Sequence, residues 1–422
     1  MKSDLPRLVS ISGSVDYERR IFVKKLSVLF FAIFLIASSV VYASDIGKAI
    51  SAQPVGQYTR EKMDKTLSKT VFGVDTASYG FEPTKYPVSL YKVRYQTANP
   101  YRLDAVETVS GLLAVPIGAQ GPLPVLSYQH SAEFSKHEIP SNPDGCLEAQ
   151  AVIAAFAGHG YAIFMPDYIG KGDSMGRHTF IMADGEAQVS WDMLKAGKKI
   201  CSEMNIKLSD DLFLSGWSQG GHATMAFLRL LRTQRYPGVK AAAPVAGPYD
   251  MYLNWAQWLI HTPSPKIPAI MAYVILAYGE YYNLTGLSQE ALKPRYRDVG
   301  QKIFDTDIIP KDVFEQFGRT PQELLQETFV TDSLAGTDAF CRALHDNEVY
   351  MWQSDVPIRF YYGEADDLVP PVIAQAAYGY MKNMGSDVSL VNAGKSAGHS
   401  ETFLFALLDA RKWFDGLRSK VK

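Results

Sequence analysis

Short runs of β-branched, aromatic and aliphatic residues at 88–97, 109–116, 124–128, 161–167, 212–216, 241–246, 357–363 and 388–393 predict eight strands. Between the later runs, apolar positions recur with helical spacing over 148–157, 186–204, 219–231, 372–384 and 401–417. The early strands are amphipathic, which suits an antiparallel edge. The later ones are apolar without alternation, which suits parallel strands covered by helices on both faces. The pattern therefore predicts a doubly wound α/β domain around a mostly parallel, eight-stranded sheet.

One stretch breaks the alternation. Residues 250–355 are rich in Tyr and Trp, follow a helical period and show no strand signal; their most apolar part is 267–282. Because the stretch lies between two sheet strands, it is expected to be a helical cap or lid inserted into one core, whose two parts are 44–249 and 356–422. The apolar run carries Glu280 and falls short of the roughly 20 residues that span a bilayer, so a buried helix is expected there.

At the N-terminus, Lys24 and Lys25 precede an apolar run over 26–41, and Val41-Tyr42-Ala43 places small residues where a signal peptidase reads. Residues 1–43 are expected to be a signal peptide cleaved after Ala43, giving a secreted or periplasmic protein with no membrane span in the mature chain. An uncleaved signal acting as an anchor is the alternative. Residues 1–22 are polar and contain Asp16 and Glu18, unlike a leader, so translation is expected to start at Val23. N-terminal sequencing of the uncleaved precursor tests this, and a peptide beginning before Val23 ends the idea.

Composition narrows the function classes. The chain has 422 residues, 47% hydrophobic and 20% charged, with 42 Lys plus Arg against 44 Asp plus Glu. This excludes disorder and a strongly basic nucleic-acid binder. Cys146, Cys201 and Cys341 are too few and too scattered for a disulfide framework or a paired-cysteine zinc site, and no HExxH pattern occurs. No metal, no cofactor and no nucleic-acid partner are expected.

The chemistry concentrates at one turn. Residues 212–221 read LFLSGWSQGG, so an apolar strand runs into Gly216-Trp217-Ser218-Gln219-Gly220 and a helix follows at once. That is the context of a G-x-S-x-G nucleophile elbow: small residues relieve crowding around a strained serine, and the helix N-terminus brings amides and a positive dipole near a developing oxyanion. An activated serine needs a base and an acid that orients it. PIRFYYGEADDLVPP presents Asp366 and Asp367 after one strand, and VSLVNAGKSAGHSETF presents His399 after the next. One of the two aspartates should hold the His399 ring, and Asp366 is preferred. His222, one helical turn after Ser218, is carried away from the nucleophile and is expected to pack or hydrogen-bond. Asp167, Asp173 and His178 lie on a glycine-rich loop after the fourth strand and are expected either to shape substrate binding or to supply the loop's own backbone hydrogen bonds.

Together, GWSQGG, GEADDLVPP and AGHSETF, with SYQHSA (127–132) and PDYIGKGDS (166–174), resemble the secreted lipase and esterase branch of the α/β-hydrolase superfamily, which is related to prolyl-oligopeptidase-type serine hydrolases. The resemblance covers roughly residue 88 to the C-terminus. It implies an α/β-hydrolase fold, and a nucleophile, base and acid at Ser218, His399 and Asp366, the aspartate three after glycine in G-x-x-D-x-x-V-P. It also implies an oxyanion hole from the amide of Gln219 and that of Ser131 or Ala132. His130 and Trp217, flanking those amides and the serine, are expected at the substrate. The family commonly has glycine after that histidine, where this chain has Ser131 and Ala132. The implied reaction is hydrolysis of a small-molecule or lipid ester through an acyl-enzyme. A serine peptidase or amidase would use the same residues, and a non-catalytic binding protein of this fold is the remaining alternative.

Overall fold

All eight expected strands form in the computed structural model, which describes residues 46–102, 106–260, 264–305 and 313–418. The expected signal peptide, its cleavage site and the start at Val23 lie outside the described residues. Ahead of the expected strands runs a further one, β1 (Ala49–Tyr58), followed by α1 (Arg60–Leu67) and a small hairpin of β2 (Thr70–Val71) and β3 (Val74–Asp75). β1 joins the sheet edge antiparallel to β4 (Val88–Ala98), with register irregularities at Ala49/Ser51 and Pro54/Gly56. Only Tyr58 of β1 is buried, so backbone pairing rather than an apolar face holds it, and its side chains carry no alternation to read.

The sheet continues with β5 (Val106–Pro116), β6 (Leu123–Gln129), β7 (Ala162–Pro166), β8 (Leu208–Trp217), β9 (Val239–Val245), β10 (Ile358–Tyr362) and β11 (Val388–Asn392). Its nine strands run in the order β1-β4-β5-β7-β6-β8-β9-β10-β11. The pairs from β1 to β7 are antiparallel, and those from β7 to β11 are parallel. Parallel neighbours require crossovers. These include α2 (Leu147–Ala155), α3 (Ala183–Glu203) and α4 (Gln219–Thr233).

β9 and β10 are also parallel neighbours, and the chain passes between them through a run of helices. The run comprises α5 (Met251–Ile260), α6 (Ile267–Tyr281), α7 (Leu287–Ala291), α8 (Pro294–Asp305), α9 (Pro321–Leu324), α10 (Glu327–Ala335) and α11 (Ala339–Asp346). α12 (Pro371–Asn383) links β10 to β11, and α13 (His399–Leu417) ends the described chain.

Side chains alternate across the sheet into two cores. Val109, Leu113 and Val115 of β5 pack with residues of α3, α4 and α12, while Leu112 and Ala114 pack with α2 and α13. The helical run from α5 to α11 has a third core, including Trp255, Tyr273, Tyr278 and Phe340, which reaches Phe180, Ile181 and Met182 ahead of α3. α6 is buried on nearly every side within it. Among the described residues no helix is long and apolar enough to cross a membrane.

Candidate active site

The parallel strands end on one side of the sheet, and the loops leaving β6, β8, β10 and β11 meet there. The sharpest turn follows β8. Ser218 adopts φ 58° and ψ −121°, a conformation costly for any residue with a Cβ. It is held by its own backbone, because Ser218 N–H donates to Val245 O at 2.9 Å and Ser218 O accepts from Gly221 N–H at 2.9 Å. α4 starts at the next residue, so its amides and the positive end of its dipole face the serine.

His399 opens α13 and Asp366 lies on the loop after β10. His399 Nδ1 and Asp366 Oδ2 are 2.8 Å apart, and both side chains are almost fully buried. The other Asp366 oxygen accepts from the amides of Leu368 and Val369, each at 2.9 Å, which fixes the carboxylate against the imidazole. With Nδ1–H donating to Asp366, Nε2 is left as the basic nitrogen; it is buried and has no hydrogen-bond partner among the described residues. The loops can approach this closely because residue 363 is glycine: a Cβ there would stand 2.2 Å from Ala397 O. Asp367, the neighbour, lines the cavity instead of touching His399.

Ser218 and His399 open onto one cavity of about 820 Å³. Trp217 forms part of its wall, tilted against the His399 ring at 5.0 Å between centroids and stacked on Phe403 at 4.7 Å. Phe72, Phe134, Ile270, Phe314 and Leu368 add apolar surface; Lys266, Ile270 and Phe314 come from the helical run between β9 and β10. Glu133 also lines it and makes no hydrogen bond or ion pair among the described residues. Burial pushes its carboxyl up to about 8, with Glu148 and Glu138 reinforcing the shift and Lys171 opposing it.

The structure corrects two of the expected placements. Ser131 does not offer its amide to the cavity: the N–H points back to the Glu148 carboxylate, 3.0 Å from Oε2 and 3.2 Å from Oε1. The next amide, that of Ala132, has no acceptor among the described residues and belongs to a cavity-lining residue, as the position requires. The Gln219 N–H likewise has no acceptor among them. His130 is the second correction. It is buried beneath the loop, with Nδ1 2.7 Å from Ser131 O and its ring stacked on Tyr168 at 4.2 Å, and it is absent from the cavity wall. Burial lowers its pKa to about 4, so the ring is neutral and braces the loop.

Two buried carboxylates behind the site escaped the sequence reading. Glu148, on α2, receives Ser131 and Tyr128. Glu186, on α3, accepts from Gln219 Nε2 at 2.8 Å and is hydrogen-bonded to His222 Nδ1 at 2.7 Å, while His222 Nε2 donates to Asn347 O at 2.7 Å. His222 is thus a hydrogen-bonded packing residue, as expected. The available signal was a single charged residue, Glu148, in the largely apolar helix LEAQAVIAA, and Glu186 on the same helical face as Ser190 and Met193. Asp167 accepts from Ser110 Oγ at 2.6 Å and from the Ser141 amide at 2.9 Å, and His178 Nδ1 binds Ile169 O, so both serve the loops. Among the described residues no His, Cys, Asp and Glu group could hold a metal ion.

Residues 144–298 match the profile of a hydrolase family described as serine aminopeptidase, S33; the match contains Ser218 and stops before Asp366 and His399. Solved structures extend the likeness over most of the chain. A Legionella pneumophila protein named only as a hydrolase superposes with a TM-score of 0.82 at 25% identity, covering 89% of this chain and 100% of that one. The rice cell wall degrading esterase LipA from Xanthomonas oryzae gives 0.77 at 23% identity, covering 88% and 99%. Candida antarctica lipase A gives 0.65 at 16% identity, covering 89% and 83%. No curated protein matches the chain by sequence.

Proposed function

Because the chain belongs to the α/β-hydrolase superfamily, we propose that it is a serine hydrolase that cleaves carboxylic esters, with Ser218 as nucleophile, His399 as base and Asp366 as the orienting acid. The observation that carries this reading is the 2.8 Å His399–Asp366 contact on the same cavity as a serine held at positive φ before a helix N-terminus. Ser218 Oγ attacks the ester carbonyl carbon while His399 Nε2 takes its proton, and the carbonyl oxygen becomes an oxyanion facing the amides of Ala132 and Gln219. As the C–O bond breaks, His399 returns the proton to the leaving alcohol. Water then attacks the acyl-enzyme with the same base, releasing the acid and restoring Ser218. Asp366 holds the tautomer throughout and stabilises the imidazolium that forms.

The apolar wall of Phe72, Phe134, Trp217, Ile270, Phe314 and Leu368 suits a hydrocarbon or aromatic group on one side of the ester. The leader-like segment of Lys24, Lys25 and the apolar run over 26–41 supports secretion or a periplasmic location. The matched family's description favours amides as the second substrate class. Turnover of p-nitrophenyl esters of graded acyl length, set against p-nitroanilides on the same purified protein, separates the two. Ester turnover with anilides at background supports the proposal; the reverse order assigns the site to a peptidase or amidase.

Glu133 makes the cavity sensitive to pH. Its raised pKa means that the cavity gains a negative charge as pH rises through about 8, beside Asp367, Glu401 and Lys266 on the same wall. The KM of an ester bearing a free carboxylate is expected to rise roughly tenfold across that range, while the KM of a neutral ester stays flat. Glu133→Gln abolishes the difference. Equal pH profiles for both esters in the wild type would remove Glu133 from the substrate's surroundings.

A further inference from the structure

Glu148 has no place in the reaction as written, yet its environment is specialised. The side chain is 1% exposed on α2 and, among the described residues, receives hydrogen bonds only from neutral donors: the Ser131 amide, Ser131 Oγ at 2.6 Å and Tyr128 O–H at 2.7 Å. Burying a carboxylate is costly, and an apolar or amide side chain would fill the same space more cheaply. What the carboxylate alone does is collect three donors at once, two of them from one residue. Those two hold Ser131 at its amide and at its side chain, and the next amide along the chain belongs to a cavity-lining residue.

Building on the serine-hydrolase reading, we propose that Glu148 is a positioning residue for the oxyanion site: its ionised carboxylate grips Ser131 and thereby aims the Ala132 amide at the oxygen that becomes negative. The grip depends on ionisation, because all three donors need lone pairs and a protonated carboxyl would have to turn one of them away. Burial pushes the Glu148 pKa up to about 7, so this ionisation falls within the working range of an esterase. The titratable groups that face Glu148 are Tyr128 on β6, Tyr168 after β7, Cys146 ahead of α2, Glu133 beyond Ser131, and His399 on α13. The tyrosines, the thiol and Glu133 all have raised pKa values and stay protonated on the acid side of neutrality. Of Glu148 and these groups, Glu148 alone changes charge there, which adds one required deprotonation to that of the general base.

The test compares wild type with Glu148→Gln, using a p-nitrophenyl ester and an alkyl trifluoromethyl ketone. Ser218 Oγ–H adds across the ketone C=O, the proton passes to His399, and the oxygen remains as a hemiketal oxyanion in the same position. Glu148→Gln is expected to lower kcat by roughly 10- to 100-fold with KM within about threefold, and to weaken ketone binding by the same factor as kcat. In the wild type, log kcat/KM on the acid side drops by an extra factor of roughly 10 to 100 as pH falls through about 7, before the limb resumes a slope of one; in Glu148→Gln this extra drop is absent. A variant with kcat within twofold of wild type, or a wild-type acid limb without the extra drop, overturns the proposal. Should Glu148→Gln fail to fold, Ser131→Ala, which removes one of the three donors and leaves the amide, is read in its place together with the wild-type acid limb; an unchanged kcat for Ser131→Ala with no extra drop in the wild type overturns the proposal equally. A wild type that neither turns over esters nor binds the ketone removes the hydrolase reading itself, which is a different result from an active wild type with an indifferent Glu148.

Discussion

Ser218→Ala is expected to abolish ester turnover, with kcat lowered on the order of 10⁴ to 10⁶, while the protein folds as before. The size of the effect follows from the division of labour: without Oγ no acyl-enzyme forms, and the oxyanion amides and the cavity can assist only direct attack by water. The fold survives because Ser218 Oγ makes no hydrogen bond among the described residues, and because alanine keeps the Cβ that already occupies the positive-φ turn. A fluorophosphonate probe and thermal unfolding read the two halves of the expectation. Wild type is labelled and the variant is not, and their melting temperatures agree within a few degrees. Turnover that survives in a clean preparation of the variant ends the assignment of Ser218.

Gly220→Ala has the largest expected effect on stability. A Cβ at Gly220 would stand 1.9 Å from Gln129 O and 2.7 Å from His130 O, and both are backbone atoms at the end of β6 in the middle of the sheet. Neither can rotate away, so β6 or the start of α4 must shift. The expected loss is at least about 4 kcal/mol, beyond the ordinary range for a point substitution, and α4's displacement carries the Gln219 amide with it. Gly379→Ala is the control of opposite sign. Gly379 lies inside α12, and a Cβ added there would meet nothing within 4 Å, so alanine gains roughly 0.5 to 1 kcal/mol of helix stability. Urea unfolding of both variants checks the pair; equal stabilities would show that β6 does not pack against the elbow as the distances require.

The elbow and its partners were readable because each rests on local chemistry. A strand, a glycine-flanked serine and a helix are consecutive in the chain, and Asp366 and His399 each follow a strand whose composition marks it. The oxyanion side was read only halfway. Ser131 and Ala132 are adjacent and equally small, and nothing local shows that the Ser131 amide is taken up by Glu148, brought under the loop by α2. His130 was expected at the substrate because it borders those amides, yet its neighbours Tyr168 and Asp167 come from the loop after β7, and their stacking and carbonyl contacts draw the ring beneath the loop. β1 escaped for the opposite reason: it pairs through its backbone, which every sequence possesses.

By itself, then, the sequence determined the α/β alternation, the helical interruption between β9 and β10, and the three residues whose chemistry suggests acyl transfer. Period, turn residues and spacing along one chain carry that information. Tertiary structure alone decided that the Ser131 amide is taken up by Glu148, which histidine is neutral and buried, and where the cavity-lining carboxyl of Glu133 stands. Each of these depends on desolvation and on donors supplied by segments far apart in sequence, and both arise only when the chain has packed.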